Sequence, residues 1–381
     1  MKKNVQSLNK NAKNDAITYA IVVACLVFCI VYSGLPSASS LIKGLFVPIC
    51  AYVIMALSLN LTVGILGELS LGHAGFMCLG AFVGSTFSIL TQDSLTSVWV
   101  RFPLALIIGG AVAAVAGLLI GIPVLRLKGD YLAIVTLAFG EIIKALVNNV
   151  YLVKDVNGLH FALGVDAYNE LSLDAGSTQN IINGAMGITG GPRDSNYLIG
   201  FVLLFITLAV ILNLVHSRTG RAIMAIRDNR IAAESVGVNI TKYKLIAFII
   251  SAMFAGMAGV LYGHNLSSLV ASKFDYNLSI LILVFVVLGG IGSMRGSIIA
   301  ATILTALPEL LRGSFSDYRM LIYAILLIVM MLVNNNETMN MYKKRFMSKF
   351  HFVKKGKKPA TAGRDNAAGA AANAEGGADN E

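Results

Sequence analysis

An uncharged run of 18 residues, LIGFVLLFITLAVILNLV at 198–215, crosses the middle of this chain. A helix needs roughly 20 predominantly apolar residues to span the ~30 Å hydrocarbon core of a bilayer. Shorter runs of the same kind lie at 279–292 and 320–333. Only 13% of the 381 residues are charged, against about 25% in soluble domains. The sequence therefore predicts an all-α polytopic membrane protein.

About ten transmembrane segments can be read along the chain. They are 17–33, 41–66, 69–90, 102–125, 131–150, 197–216, 245–267, 277–292, 296–311 and 319–333. The eighth and ninth are short and border a cluster of glycines between Gly289 and Gly296. The sequence leaves open whether these two are full spans or broken or re-entrant helices, which membranes tolerate only where protein or water covers the backbone.

The distribution of Lys and Arg predicts the orientation. With a cytoplasmic N-terminus, 22 of the 30 Lys and Arg residues fall on the cytoplasmic side, as the positive-inside rule requires. The predicted parts are a basic cytoplasmic N-terminus at 1–16, a transmembrane domain at 17–333, a basic cytoplasmic segment at 334–358 and a disordered tail at 359–381. A signal peptide cleaved within residues 1–40 is the alternative.

The net charge of +10 then follows from topology. Basic segments on the cytoplasmic side are attracted to anionic lipid headgroups, so we expect membrane lipid and not nucleic acid as their partner. Motifs for chemistry are also missing from the sequence, which has no GxxxxGK[ST], HExxH or GxSxG pattern and no Cys/His metal spacing. The chain is therefore expected to be a transport subunit and not an enzyme, with no metal and no cofactor of its own.

Several polar residues lie at predicted membrane depth, where ionisable groups are costly and usually face a cavity or a partner. The candidates for a solute path are Glu68, Ser70, Gly72, His73, Thr136, Glu141, Gly190 and Gly191. The glycines lie in turns whose N–H groups suit a carboxylate; the last two end the polar outer segment 151–196. A structural alternative is equally open, in which Glu68 and His73 occupy an interfacial turn and Lys144 pairs with Glu141.

The segment RTGRAIMAIRDNRIAAESVGVN at 218–239 is charged in a chain otherwise poor in charge. Its pattern predicts one amphipathic helix from Arg221 to Gly237, with Ile223, Ile226, Ala233 and Val236 on one face and Arg227, Arg230 and Glu234 on another. Such a helix either lies in the headgroup layer or docks in a groove of a soluble partner.

The chain resembles the permease subunit of branched-chain amino acid ABC importers, the LivM-type permeases. The resemblance rests on stretches in one order along the chain: LSLGHAGFMCLGAF at 69–82, LRLKGDYLAIVTLAFGEII at 125–143, NGAMGITGGP at 183–192, SRTGRAIMAIRDNRIAAESVGVN at 217–239, AFIISAMFAGMAGVLYG at 247–263 and VLGGIGSMRGSIIAA at 287–301. The resemblance implies an ABC importer permease architecture, with a periplasmic loop at about 151–196 and a cytoplasmic coupling loop at about 217–244.

In this family a coupling helix with an EAA-x-x-x-G pattern fits a cleft on the ATP-hydrolysing subunit. Here Ile231 replaces the first acidic residue, which puts any salt bridge from that position in doubt. The residues that the resemblance assigns to coupling are Arg221, Arg227, Asp228, Ala232, Ala233, Glu234 and Gly237.

The resemblance also implies the partners and the place. They are two ATP-binding subunits that use the ATP, a second related permease, and a periplasmic substrate-binding protein, all at the bacterial inner membrane. The implied function is uptake of leucine, isoleucine and valine by alternating access, with this chain forming half of the path. The sequence does not fix the substrate, which for related permeases is also another amino acid or a small amide such as urea. An ion-coupled secondary transporter and a membrane anchor or receptor are the alternatives.

Overall fold

We analysed a computed structural model of the chain. It describes residues 2–35, 39–127, 129–155, 158–170 and 179–310, together with the single positions 321, 324, 325 and 328. Most of the tenth predicted segment, the basic segment 334–358 and the tail 359–381 lie outside the described residues. The predicted basic N-terminus 1–16 lies, from Lys2 onward, in the first turns of a helix that continues to Gly34.

The predicted α-helical fold class is confirmed. In chain order the helices are α1 (Lys2–Gly34), α2 (Ser40–Asn60), α3 (His73–Leu90), α4 (Val98–Val124), α5 (Asp130–Asn148), α6 (Val165–Asn169), α7 (Tyr197–His216), α8 (Arg218–Asp228), α9 (Arg230–Ser235), α10 (Ile240–Gly263), α11 (Tyr276–Gly289) and α12 (Met294–Leu310). Within the described residues, seven helical stretches are long and apolar enough to cross a membrane. The predicted count of about ten is not confirmed.

Helices α3, α4 and α10 pack against one another in the centre of the bundle. Small residues allow this approach, as is common between membrane helices. A Cβ built on Gly80 of α3 would lie 2.5 Å from the Cα of Gly256 on α10, closer than unbonded atoms can approach. Large side chains fill the remaining space, and Phe76, Phe248 and Phe254 are almost fully buried.

Helix α2 is the most buried span of the bundle and changes its winding before it ends. Residues Leu61–Leu66 continue α2 as a π-helix, and all six are buried. The π-helix ends at Gly67, whose φ of 80° is left-handed, a conformation that glycine adopts without a steric penalty. The chain then runs through residues 68–72 back into the bundle and begins α3 at His73.

The two short predicted segments 277–292 and 296–311 correspond to two short helices in the structure. Helix α11 has 14 residues and α12 has 17; at 1.5 Å per residue, α11 is about 21 Å long. They are joined by a tight turn in which Gly290 and Gly292 have positive φ. The two helices cross where Gly289 meets Gly296, because a Cβ on either would overlap the other's backbone.

The predicted outer loop contains a small sheet that the sequence analysis did not predict. Strands β1 (Val150–Asp155), β2 (Gly158–Leu163) and β3 (Gln179–Asn183) form an antiparallel sheet in the order β2-β1-β3. A second pairing joins β4 (Ile188–Thr189) to β5 (Ser268–Leu269), the strand that follows α10. The end of the bundle that carries these strands is called the sheet end, and the end that carries residues 217–239 is called the loop end.

Candidate functional site

The charged segment at the loop end forms two helices and not one, so the prediction of a single helix from Arg221 to Gly237 was wrong. Helix α8 begins at Arg218, with Ser217 as its N-cap. Asn229 interrupts the helix in an extended conformation and caps α9, its Oδ1 accepting from the Ala232 N–H at 3.1 Å. Asn is a preferred N-cap residue, so this break had a readable signal in the sequence. Gly237 follows α9 with a φ of 83°.

The break at Asn229 changes which side chains face the bundle. Ile223, Ile226 and Ala233 are buried, as predicted. Val236 is 78% exposed, so its predicted place on the same face was wrong. The reason is that α9 is a separate helix and ends at Ser235, before Val236. Ile231 is 80% exposed.

The seven residues assigned to coupling fall into two groups. Ala232, Glu234 and Gly237 are exposed around Ile231 and Val236, while Ala233 is buried. Arg221 and Asp228 are exposed on α8, and Nη1 of Arg221 donates to the His216 carbonyl oxygen at 3.1 Å.

Arg227 differs from the others because part of its side chain turns back to the bundle. Its Nη1 donates to the carbonyl oxygen of Gly64 in the π-helix at 3.0 Å, and its Nε and Nη2 donate to Asp228 Oδ1 at 3.1 and 3.0 Å. Its aliphatic stem lies on Gly67, since a Cβ on that glycine would come within 2.5 Å of Arg227 Cγ. Arg227 therefore joins the charged segment directly to α2.

Glu68 lies at the loop end, in the turn after the π-helix. Its carboxylate forms an ion pair with the ammonium group of Lys244 on α10, and the two side chains are only 15% and 5% exposed. Glu68, Arg227, Arg230 and Lys244 all line one cavity of about 170 Å³. The predicted interfacial turn thus fits Glu68 better than a position deep in a path. The sequence shows Lys244 only as one of several charges in the loop, so its pairing with Glu68 was not predicted.

Ser70, Gly72, His73 and Thr136 come together inside the bundle. Thr136 Oγ1 accepts from the Leu71 N–H at 3.0 Å, and Gly72 lies so close to Thr136 that a Cβ there would overlap its carbonyl oxygen. Both Ser70 and His73 are 1% exposed, so these four residues form a compact interior group at the start of α3.

Two atoms of this group lack hydrogen-bond partners. His73 Nε2 lies 2.9 Å from Ser58 Oγ, and Ser58 donates to the Met55 carbonyl oxygen at 2.9 Å. The proton between the two side chains therefore belongs to His73 Nε2, which leaves Nδ1 as a bare acceptor. His73 Nδ1 and Ser70 Oγ are both buried and unpaired among the described residues. Buried polar atoms without partners are rare and costly.

Glu141 on α5 holds the start of α11. Its Oε1 accepts from the Tyr276 N–H at 2.9 Å. Its other oxygen forms an ion pair with Lys144, which confirms the predicted pairing, and the two side chains are 33% and 22% exposed. The Asp275 carboxylate caps α11 by accepting from the Leu278 N–H at 3.1 Å.

A polar network around the π-helix was missed by the sequence analysis. Asn60 is fully buried, its Oδ1 accepting from the Gly292 N–H at 2.9 Å and its Nδ2 donating to Ser297 Oγ at 3.1 Å. Thr62 Oγ1 donates to Ser251 Oγ at 2.8 Å. These residues lie in runs that were read as apolar. The signal was an asparagine and a threonine inside the run 41–66, where polar groups need partners.

Gly190 and Gly191 lie far from this interior group, at the sheet end. Gly190 is exposed and Gly191 is half-buried, and the Gly190 N–H donates to the Ser267 carbonyl oxygen at 3.1 Å, extending the β4–β5 pairing. Nearby, the buried Arg101 at the start of α4 donates from Nε and Nη2 to Asp194, at 3.0 and 2.5 Å. The predicted path residues thus lie at three levels: loop end, interior and sheet end.

His264 follows α10 at the sheet end. Its Nδ1 lies 2.9 Å from the Val260 carbonyl oxygen and its Nε2 2.8 Å from Ser88 Oγ. Because a carbonyl oxygen only accepts, Nδ1 carries the proton and Nε2 accepts from Ser88. Burial lowers the pKa of His264, so the ring is neutral at pH 7. It connects the end of α10 to α3 through neutral hydrogen bonds and not through an ion pair.

Comparisons with known proteins agree with this architecture. The model of a family described as "Branched-chain amino acid transport system / permease component" matches residues 41–331. The high-affinity branched-chain amino acid permease proteins LivM of Escherichia coli and of Salmonella typhimurium are each 38% identical over 290 residues, covering 74% of this chain and 66% of each relative. The alignment thus spans just under two thirds of their length.

A second permease is also similar. The high-affinity branched-chain amino acid permease protein LivH of Salmonella typhimurium is 24% identical over 298 residues, covering 74% of this chain and 89% of that protein. No solved structure matches the chain. The family model covers most of the seven apolar spans. The chain therefore belongs to the permease components of branched-chain amino acid transport systems.

Proposed function

We propose that this chain is one of two permease subunits of an ATP-driven importer of branched-chain amino acids in the bacterial inner membrane. Similarity to both LivM and LivH, two permease proteins of one kind of transport system, supports a related second permease as its partner. Two ATP-binding subunits supply the energy on the cytoplasmic side, and a periplasmic binding protein delivers the amino acid.

The observation that carries this proposal is the exposed surface of α9. Ile231 and Val236 are 80% and 78% exposed, although the opposite face of the segment is buried and anchored through Ile226 and Ala233. A rigid segment that presents apolar side chains with charges beside them is typical of a docking surface. It supports docking to a soluble ATPase subunit, with Ala232, Glu234 and Gly237 at the contact.

Orientation follows from the distribution of positive charge. The loop end carries the Arg-rich segment, so the positive-inside rule places it in the cytoplasm together with both chain termini. The sheet end then lies in the periplasm, where β1 to β5 face the binding protein. Gly190 and Gly191 lie on this face and belong to the entrance of the path in this proposal.

The path runs along α5. This helix exposes Tyr131, Ile134 and Ile142 on one side, yet its charged pair of Glu141 and Lys144 is also partly exposed in mid-helix. Charged groups at that depth avoid lipid and face protein or water. The exposed side of α5 therefore faces the second permease across the path. Ser70, Gly72, His73 and Thr136 lie behind it, and Glu68 lies at the cytoplasmic exit.

The test is assembly of the importer. The tagged chain is expressed with its partner subunits, purified in mild detergent and assayed for a stoichiometric subunit that carries a P-loop. We expect Ile231→Glu combined with Val236→Glu to release that subunit. Leu159→Glu is the matched control, since Leu159 is also exposed, at 51%, but lies at the sheet end. Retention of the ATPase subunit by the double variant would refute the docking surface.

The substrate is tested by transport. Proteoliposomes with the assembled importer and its binding protein take up radiolabelled leucine when ATP is supplied inside. We expect unlabelled isoleucine and valine to compete and urea not to compete. Uptake that needs an ion gradient and not ATP would replace the proposal with secondary transport.

A further inference from the structure

The π-helix Leu61–Leu66 lies where the charged segment 218–239, called the coupling segment below, meets the bundle. In a π-helix each N–H bonds five residues back, and such turns are rare, short and frequent at functional sites. Here the Gly64 carbonyl oxygen accepts from Arg227 Nη1 at 3.0 Å. This polar link from α8 to the bundle thus ends on the backbone of the π-helix.

The opposite side of the same residue touches the α11–α12 turn. A Cβ on Gly64 would lie 2.7 Å from Gly292 Cα and would overlap Asn60 Oδ1. Asn60 in turn accepts from the Gly292 N–H at 2.9 Å and donates to Ser297 on α12 at 3.1 Å. The backbone at Gly64 is therefore held between Arg227 and the turn, with no side chain to absorb a displacement.

A third contact leads from the π-helix to the interior group. Thr62 Oγ1 donates to Ser251 Oγ at 2.8 Å, and Ser251 donates to the Ser58 carbonyl oxygen at 2.5 Å. The Ser58 hydroxyl lies 2.9 Å from His73 Nε2. A continuous series of hydrogen bonds and close backbone contacts thus joins Arg227 to His73, a residue of the proposed path.

We propose that the π-helix is the element that transmits movement of the coupling segment to the path, with Arg227 and Asn60 as its positioning residues. The proposal rests on the proposed function, since it needs an ATPase subunit to move α8 and α9. When α8 moves, Arg227 displaces the Gly64 backbone, and the close contact with Gly292 passes the displacement to α11 and α12. Asn60 keeps the turn in contact, so that α2 and the turn move together.

A rigid bundle moves between discrete packings and not by continuous deformation. The π-helix supplies two arrangements because conversion to an α-helix would advance the residues beyond it by one position, about 100° and 1.5 Å. That change would carry Gly67 and Glu68 with it and would break the contacts of Gly64 with Arg227 and Gly292. The two states therefore differ in their hydrogen bonds. A partner subunit can shift the populations of two states only if it interacts differently with each of them.

The test measures the ratio of leucine transported to ATP hydrolysed, in proteoliposomes with the complete importer. Arg227→Gln removes the bond to Gly64, and Arg218→Gln is the matched control, since Arg218 is an exposed arginine on the same helix. Asn60→Leu and the milder Ser297→Ala weaken the contact with the turn. We expect the ratio to fall at least about tenfold in Arg227→Gln and Asn60→Leu and severalfold in Ser297→Ala, with Arg218→Gln unchanged.

A double variant separates transmission from ordinary destabilisation. Independent sites have additive effects, whereas residues of one network do not. We expect Arg227→Gln with Asn60→Leu to lower the ratio no further than either change alone. If the double variant lowered the ratio by the product of the two single losses, the two residues would not act through one element and the proposal would be refuted. An unchanged ratio in both Ser297→Ala and Arg227→Gln would also refute it. If Asn60→Leu fails to assemble, those two variants decide.

Failure of the docking proposal gives a different result. Asn60 and Ser297 are fully buried and cannot touch a soluble subunit, so their variants should keep the ATPase subunit bound. Loss of that subunit in Arg227→Gln, with an unchanged ratio in Ser297→Ala, would make Arg227 an interface contact and overturn transmission through the π-helix. If Ile231→Glu combined with Val236→Glu left assembly intact, only the docking proposal would be refuted.

Discussion

Removal of the Lys244 charge is the sharpest test of how the loop end is held together. The Lys244 ammonium group pairs with the Glu68 carboxylate, and the side chains are 5% and 15% exposed. Lys244→Met keeps most of the volume of the side chain but leaves the Glu68 carboxylate without its partner. Breaking a buried pair by removing one member costs about 3–5 kcal/mol, because an uncompensated charge stays buried.

The double variant Lys244→Met with Glu68→Gln gives the opposite expectation. It removes both charges and leaves no buried ion, and replacing a whole buried pair is often nearly neutral in stability. We therefore expect most of the free energy of unfolding lost in Lys244→Met to return in the double variant. The coupling between the two sites should be about 2–4 kcal/mol, within the range seen for residues in direct contact or buried pairs.

The assay is reversible unfolding of the purified chain in mixed micelles, followed by its free energy of unfolding. Lys154→Met is the matched control, because Lys154 pairs with Asp93 at 3.3 Å while the side chains are 41% and 83% exposed. Exposed pairs contribute about 0–1 kcal/mol, so the control should change little. A loss in Lys244→Met no larger than in Lys154→Met would refute the reasoning, since burial would then have no effect on the pair.

Two further predictions concern helix packing and capping. Gly80→Ala would place a Cβ 2.5 Å from the Gly256 Cα and should lower the free energy of unfolding by about 1–3 kcal/mol through overpacking. Gly44→Ala is the control, because a Cβ there has no atom within 4 Å, and it should not destabilise the chain. Thermal unfolding in detergent measures both variants, and equal effects would contradict the packing argument. Asn229→Ala removes the cap bond to the Ala232 N–H and should destabilise α9 by about 1 kcal/mol, whereas Asn229→Asp should retain this bond. Hydrogen exchange of the α9 amides measures the difference, and unchanged protection in the alanine variant would count against the cap.

The sequence predicted the helices well where apolar runs are long and uninterrupted. The run 198–215 became α7, because a membrane helix satisfies every backbone hydrogen bond within itself and needs no information from distant residues. For the two short segments beside Gly289 and Gly296, the sequence left open full spans or broken helices, and the structure has two short helices there. The sheet at 150–183 was missed, since a short hairpin in a polar loop gives little periodic signal.

The candidate site was predicted less completely, because its contacts join distant parts of the chain. The pairing of Glu141 with Lys144 is local and was foreseen from a spacing of three residues. The pairing of Glu68 with Lys244 depends on how α10 packs beside the π-helix, which no local pattern encodes. Asn60 was overlooked for the same reason, since its partners Gly292 and Ser297 become neighbours only in the folded bundle.

The contacts of Glu68 change what the predicted path residues mean together. Glu68 was grouped with Ser70 and His73 on the basis of one short stretch of sequence, yet its partner is Lys244 and its cavity is shared with Arg227. Gly67 has a left-handed φ and lies between the π-helix, whose Gly64 carbonyl oxygen accepts from Arg227, and Glu68, whose carboxylate pairs with Lys244 on α10. A displacement of α8 would therefore reach this glycine through Arg227 and the π-helix before it, while the ion pair after it holds the chain to α10. We therefore expect Glu68 to position this turn at the loop end, whereas we propose the solute contacts for the interior group that begins at Ser70.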